Sequence, residues 1–157
     1  MVDSALEPAE REFLRALNEL GVRYLIVGVT AASIQGARVA TEDIDLWFED
    51  VGDVRIGEAA KRVGGIWFAG HFGMQPPALG GDLGDRFDVV LTLSGLGKFA
   101  AEYGKSKSVQ IDGVEVKVLP LARIIESKRA AKRPKDLAAL PALEAALAVL
   151  EEEEPKD

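Results

Sequence analysis

Hydrophobic residues recur along the chain in two different periods, which predicts helices and strands in alternation. Phe13, Leu14 and Leu17 are spaced by three and four residues, and this spacing predicts an amphipathic helix over about 8–20. A short run of apolar and β-branched residues follows at 23–27 and is bounded by glycines, as is typical of a buried strand. The chain is therefore expected to begin with a helix that packs beside a core strand.

The rest of the chain continues this alternation. Strands are predicted where apolar and polar residues alternate, and helices where a proline or a capping residue precedes a helical period. The further predicted strands are 41–48, 66–68, 86–91, 109–111 and 114–118, and the further predicted helices lie near 31–33, 53–62, 98–103, 120–131 and 134–150. Asp112-Gly113 favours a type I′ hairpin turn between the last two strands. The stretch 70–85 is rich in Gly and Pro, so a long loop of the kind that covers or binds a ligand is expected there.

This order of elements predicts one domain of the α/β (α+β) class. The hairpin makes the β-sheet mixed, helices flank the sheet, and two helices complete the C-terminal part. A chain of 157 residues has the size of a single domain, which we place at 1–150. The Glu-rich segment 151–157 is expected to be a disordered acidic tail.

Composition removes several classes of function. The chain has no Cys and a single His, so disulfide scaffolds, thiol nucleophiles and Cys- or His-rich metal sites are excluded. A net charge of -7 argues against a protein that coats DNA, since non-specific affinity for DNA comes mainly from Lys and Arg. A hydrolase would depend on His71 with Asp82 or Asp85, and a lone His in an irregular loop is weak support for one. Neither a signal peptide nor a membrane span is evident, which predicts a cytoplasmic protein.

Three acidic residues are the first candidates for chemistry. Asp43 and Asp45 are two apart on a predicted strand, so their side chains share a face with Cα atoms roughly 7 Å apart. Two such carboxylates can share a Mg²⁺ or Mn²⁺ ion, although alternating polar residues are also ordinary on a half-buried strand. Asp88 lies in an apolar strand, where a charge needs a partner or a metal; Arg86 or a position at the strand edge is the simpler explanation.

Two further features point to an anion. Gly28 ends a buried strand and opens a short helix of small residues, which leaves backbone N–H groups free to bind a phosphate. Basic residues crowd the end of one predicted helix and the turn after it, with Lys128 and Lys132 as an i,i+4 pair. These cations are suited to a triphosphate or an acidic substrate. The alternative is a solvated patch in which Glu126 and Asp136 pair locally.

In combination these residues resemble the sequence pattern of the nucleotidyltransferase superfamily, and the chain is similar to its small bacterial and archaeal members, including antitoxin-type and AbiEii-like proteins. The pattern is a hydrophobic residue, Gly-Gly or Gly-Ser, about a dozen residues, Asp-h-Asp/Glu-h (h, hydrophobic) and a later third carboxylate. Here Val27-Gly28-Val29 is followed by thirteen residues, then by Asp43-Ile44-Asp45-Leu46, and Asp88 comes later. The resemblance covers roughly 10–140 and implies a nucleotidyltransferase-like fold.

The resemblance also implies an activity and a site. Asp43, Asp45 and Asp88 would be catalytic and would bind Mg²⁺ or Mn²⁺, with an NTP as the substrate. The nucleotide would be bound by Gly28, Thr30, Ser33 and Lys128. The implied reaction moves NMP, with AMP favoured, from the NTP to a hydroxyl of a protein, RNA or small-molecule acceptor.

One departure from the pattern favours an alternative. Val29 occupies the second Gly or Ser position, where it offers no hydroxyl to a nucleotide and crowds its approach to the backbone. The alternative is therefore a catalytically weak or inactive module that binds a nucleotide or a partner, such as an antitoxin with a cognate toxin. An exposed edge of the sheet also makes a homodimer a reasonable expectation.

Overall fold

The fold is that of a computed structural model, which describes residues 6–70 and 76–153. The helices among these residues are α1 (Pro8–Leu20), α2 (Gly28–Ile34), α3 (Val54–Arg62), α4 (Phe99–Tyr103), α5 (Leu121–Ala131) and α6 (Pro134–Glu153). The strands are β1 (Tyr24–Val27), β2 (Ile44–Phe48), β3 (Gly65–Phe68), β4 (Ala78–Gly81), β5 (Phe87–Val90), β6 (Lys107–Ile111) and β7 (Val114–Val118).

Five of the strands form one mixed sheet in the order β5-β2-β1-β7-β6. The pairs β1–β2 and β6–β7 are antiparallel, whereas β1–β7 and β2–β5 are parallel. The α/β class, the mixed sheet and the flanking helices predicted from the sequence are confirmed. The hairpin turn is also confirmed, because Asp112 and Gly113 both have the positive φ, 49° and 84°, that a type I′ turn requires.

The start of α1 shows how local sequence fixes an element. Pro8 occupies the first turn, and Glu7 and Glu10 form a reciprocal capping box in which the backbone N–H of Glu7 donates to Glu10 Oε1 at 2.8 Å. Gly21 ends the helix in the left-handed conformation. The apolar face of α1, with Phe13, is buried in the core.

Alternation along β2 divides the sheet into two faces, as the sequence predicts. Ile44 and Leu46 are buried on one face, and Asp45 and Trp47 point to the other. The four residues of β1 are all buried, because this strand is central and covered on both sides. The second face, which carries Asp45, therefore presents a polar group beside a fully buried strand.

The segment 70–85 differs from its prediction as a loop. Residues 78–81 form β4, which pairs antiparallel with β3 in a separate two-stranded sheet. The sequence does not predict this strand because Gly80 and Gly81 have little strand preference. Pairing with β3 supplies the hydrogen bonds that form it. At the other end of the chain, α6 continues to Glu153, three residues beyond the predicted end of the helix. No helix in the described part of the chain is long and apolar enough to cross a membrane.

Candidate active site

The strand register brings the predicted acidic residues together. Asp45 of β2 and Asp88 of β5 are direct partners in neighbouring parallel strands, so their Cα atoms are about 4.8 Å apart. Asp43 precedes β2 on the same face, and it is close enough to Asp88 for its negative charge to raise the pKa of that carboxyl. Asp45 and Asp88 are therefore adjacent in the sheet, with Asp43 near Asp88, and a metal site formed by the three carboxylates stays a prediction.

The carboxyl groups repel one another, and this repulsion contributes to raised pKa values of Asp45 and Asp88. Burial raises the pKa of Asp45, and the charge of Asp88 raises it further, while Lys128 acts in the opposite direction. Partial burial likewise raises the pKa of Asp88, together with the charge of the neighbouring Asp43. A group of carboxyls with raised pKa values is stabilised by any cation that binds among them.

Gly28 fits tightly against Asp45. It adopts a φ of +68°, and an added Cβ would lie only 2.2 Å from Asp45 Oδ2. Glycine is therefore required at this position for two reasons: the backbone has a left-handed conformation, and the Asp45 carboxylate occupies the space that a Cβ would need. The structure thus gives Gly28 a role that the sequence did not indicate, which is to make room for the side chain of Asp45.

A cleft of about 370 Å³ opens beside these residues. One wall is the β5–α4 loop, and the opposite wall is α5. Its lining includes Gly28, Asp45, Thr92, Leu93, Ser94, Ile124, Ser127, Lys128, Arg133 and Asp136. The structure therefore brings Asp45, Gly28 and Lys128 of the predicted site to one cleft.

Lys128 is held in this cleft by Asp136. The Lys128 Nζ lies 3.1 Å from Asp136 Oδ1, and Arg133 donates to the same carboxylate from its Nε at 2.6 Å. Asp136 is fully buried, whereas 14% of the Lys128 side chain is exposed. Two cations are thus fixed at the cleft by one buried carboxylate, and Lys128 is close enough to Asp45 to lower its pKa.

Thr30 and Ser33 lie apart from that cleft. Both line a second cavity, together with Thr41 and Ile44, and Ile44 is on the face of β2 opposite to Asp45. The Thr30 hydroxyl is hydrogen-bonded to Thr41 and to the carbonyl oxygen of Asp43. Thr30 therefore holds the backbone that precedes β2, and neither hydroxyl is brought beside Lys128.

Sequence reasoning missed several residues of the cleft. In the sequence, Arg133 belongs to the basic cluster that could bind a triphosphate, and Asp136 enters only as an acidic residue that pairs locally with that cluster. The burial of Asp136 depends on how α5 packs against α6. Lys135 is exposed, and its charge lowers the pKa of both Asp45 and Asp88. The predicted face shared by Lys128 and Lys132 is not formed, because α5 ends at Ala131 and Lys132 caps it at a φ of 58°.

Trp47 shares a strand face with Asp45 but packs in the core. Only 3% of it is exposed, its ring meets that of Phe99 edge-on, and its Nε1–H donates to the Leu91 carbonyl at 3.1 Å. Its packing partner on this face is α4, which carries Phe99. His71, on which a hydrolase would depend, lies outside the described residues.

The donor set suits a divalent cation, although the side chains are not arranged around one. Within residues 6–70 and 76–153, no three acidic or imidazole groups already surround a single point as metal ligands would. The negative charge of Asp43 raises the pKa of Asp88, and a cation bound between the two carboxyls would relieve their repulsion. Oxygen-only ligands with mutual repulsion are the donor set that Mg²⁺ or Mn²⁺ prefers.

Solved structures with a similar fold are nucleotidyltransferases. ANT(2″)-Ia in complex with adenylyl-2″-tobramycin has a TM-score of 0.58 and 18% identity, over 89% of this chain and 88% of that one. The lincosamide antibiotic adenylyltransferase LnuA, lincomycin-bound, has a TM-score of 0.60 and 11% identity, over 92% of this chain and 99% of that one. This protein has the nucleotidyltransferase fold.

A third structure with the nucleotidyltransferase fold is an antigenic nucleotidyltransferase-like protein from Paracoccidioides brasiliensis. It has a TM-score of 0.52 and 16% identity, over 90% of this chain and 85% of that one. No protein-family model matches the chain, and no curated protein matches it in sequence. The nucleotidyltransferase fold is thus shared at identities of 11–18%, over nearly the whole of each chain.

Proposed function

We propose that this protein is a metal-dependent nucleotidyltransferase that moves NMP from an NTP to an acceptor hydroxyl. The observation that carries the proposal is the pairing of Asp45 with Asp88 in adjacent strands, with Asp43 close enough to raise the pKa of Asp88. Gly28 and Lys128 line the cleft that Asp45 opens into. An acidic cluster beside held cations is what a metal–triphosphate complex requires.

Asp43, Asp45 and Asp88 are the residues that would hold Mg²⁺ or Mn²⁺. Such an ion, when bound, supplies charge neutralisation at the phosphates and polarises the phosphorus under attack. In our proposal Asp88, an exposed carboxyl beside Asp45 whose pKa is also raised, accepts the proton of the acceptor hydroxyl. Thr30 holds the carbonyl of Asp43 and thereby orients the start of β2.

The cations on the other side of the cleft would bind the phosphates. Lys128 and Arg133 are presented by the buried Asp136, so their positions are fixed before a nucleotide arrives. They would balance the charge of the departing pyrophosphate. Gly28 would let the nucleotide approach the backbone at the start of α2, and Ser33 stays a prediction for which the cavity it lines offers no support.

AMP transfer to a small-molecule hydroxyl is the form of the reaction that we favour. One structural neighbour, LnuA, is named as an adenylyltransferase, and another, ANT(2″)-Ia, is in complex with an adenylylated antibiotic. Both match nearly the whole of this chain. Protein and RNA acceptors remain within the proposal. A cognate toxin and a homodimer stay predictions.

The proposal is tested by label transfer from [α-³²P]ATP. The acceptor panel comprises an aminoglycoside, a lincosamide, total tRNA and lysate protein, each with Mg²⁺ or with EDTA. We expect metal-dependent labelling of one acceptor class and release of pyrophosphate, both lost in Asp45→Asn. ATP binding in calorimetry without any pyrophosphate release would instead favour the inactive binding module, which Val29 supports.

A further inference from the structure

The two walls of the cleft are joined by one buried carboxylate, that of Glu102. The first wall is the β5–α4 loop (residues 91–98), which contributes Thr92, Leu93 and Ser94. The second is α5, which contributes Lys128 among others. Glu102 is 1% exposed and lines neither wall.

Glu102 contacts both walls at hydrogen-bond distance. On the loop side, its Oε2 accepts the backbone N–H of Gly97 at 2.9 Å. On the helix side, Arg123 of α5 donates to Oε1 from Nε at 2.9 Å and to Oε2 from Nη2 at 2.8 Å. A two-pronged guanidinium–carboxylate contact fixes direction as well as distance, so α5 and the loop are held in one relative position.

The loop and α5 also meet at a second, very close contact between Gly95 and Ala130. Gly95 adopts a φ of +71°, and an added Cβ would lie 2.5 Å from the Cβ of Ala130. The backbone of the loop therefore rests directly on α5 between Arg123 and the end of the helix. This approach is a second point at which the loop and α5 meet.

We propose that Glu102 is a positioning residue, which sets the width of the nucleotide cleft by binding Gly97 and Arg123 at the same time. The inference rests on the proposed function, because it assigns to the cleft a nucleotide that both walls contact. Glu102 itself does not touch the nucleotide. Its effect on binding is transmitted through Thr92, Ser94 and Lys128.

The test compares Glu102→Gln with Glu126→Gln. Glu126 pairs with the same guanidinium, through Arg123 Nη1, but 57% of its side chain is exposed and it makes no contact with Gly97. Both variants remove one negative charge beside Arg123, but only Glu102→Gln alters the group that also accepts the Gly97 N–H. Arg123→Lys is the second variant, since it keeps the charge and loses the two-pronged geometry.

Two readouts are measured on the full chain at a temperature where every variant is folded. Amide hydrogen exchange of residues 91–98 is expected to accelerate about tenfold in Glu102→Gln and Arg123→Lys, and to be unchanged in Glu126→Gln. The affinity for mant-ATP with Mg²⁺ is expected to fall about tenfold in the first two variants only. A purely structural role would lower the melting temperature without changing the affinity of the folded molecules.

The outcomes separate this inference from the proposed function. A wild-type chain that binds no mant-ATP overturns the proposed function, whereas the exchange data still report on the Glu102 contact. Unchanged loop exchange in Glu102→Gln overturns the inference whatever the nucleotide does. Faster exchange with wild-type affinity, or an equal loss of affinity in Glu126→Gln, overturns it as well.

Discussion

Replacing Gly28 with alanine has two expected effects: it moves the Asp45 carboxylate, which affects ligand binding, and it strains the backbone, which lowers stability. An added Cβ would lie 2.2 Å from Asp45 Oδ2, so the carboxylate must move by roughly 1 Å, enough to disturb ligand geometry severely. The left-handed φ of +68° adds roughly 1–2 kcal/mol of strain, which for a chain of this size lowers the melting temperature by about 2–8 °C. We expect the affinity for ATP with Mg²⁺ to fall by about 10- to 100-fold, as for other disturbed metal ligands.

Gly84 and Gly113 provide matched controls. Gly84 has the same φ of +68° and Gly113 has +84°, and neither has an atom within 4 Å of an added Cβ. Alanine at these positions should therefore lower the melting temperature to a similar degree and leave Mg²⁺-dependent ATP binding unchanged in calorimetry. The reasoning is refuted if Gly28→Ala binds Mg²⁺ and ATP like the wild type, or if both controls lose binding as severely.

Other predictions follow from the charges of the site. Burial and the charge of Asp88 raise the pKa of Asp45, so the stability of the wild type falls as the pH rises from the ordinary carboxyl range through that raised pKa. Asp45→Asn should therefore melt a few degrees higher than the wild type at pH 7–8 in EDTA. A lower melting temperature of this variant would contradict the assignment. Hydrogen bonds from Arg123 lower the pKa of Glu102, so the stability that its charge contributes is complete above the ordinary carboxyl range and is lost as the pH falls through the lowered pKa. Thermal melts from pH 7 to 3 should show a flatter acid limb in Glu102→Gln, and identical limbs would refute the assignment. Val29→Ser places a hydroxyl at the start of α2 and should tighten Mg²⁺-dependent ATP binding about tenfold. This change corresponds to about 1.4 kcal/mol, which one hydrogen bond to a charged group can supply. Unchanged affinity would show that the valine does not limit binding.

Most elements were predictable because their signals are local. The period of α1, the buried run of β1 and the Asp112-Gly113 turn each contain their own evidence in a few residues. The strand β4 was missed because its glycines carry no such signal, and its hydrogen bonds come from β3. Local chemistry thus determines where most elements lie, and pairing determines the remainder.

The candidate site was predictable only in part. Alternation along β2 placed Asp43 and Asp45 on one face, but the register that sets Asp88 beside Asp45 is a property of the assembled sheet. From the sequence alone, Asp136 is an ordinary acidic residue in the first turn of a helix. Its role in holding Lys128 arises when α6 packs on α5 and buries it completely.

The central claim is that the Asp43, Asp45 and Asp88 carboxylates together hold a divalent cation that carries a nucleotide. It is tested most directly by a crystal structure of the chain with Mn²⁺ and a non-hydrolysable ATP analogue, in which the anomalous signal locates the metal. The account predicts a Mn²⁺ peak at about 2.1 Å from oxygens of Asp45 and of at least one of the other two carboxylates, with the triphosphate extending toward Lys128. A nucleotide bound away from this cleft, or a metal peak that none of the three carboxylates contacts, would contradict it.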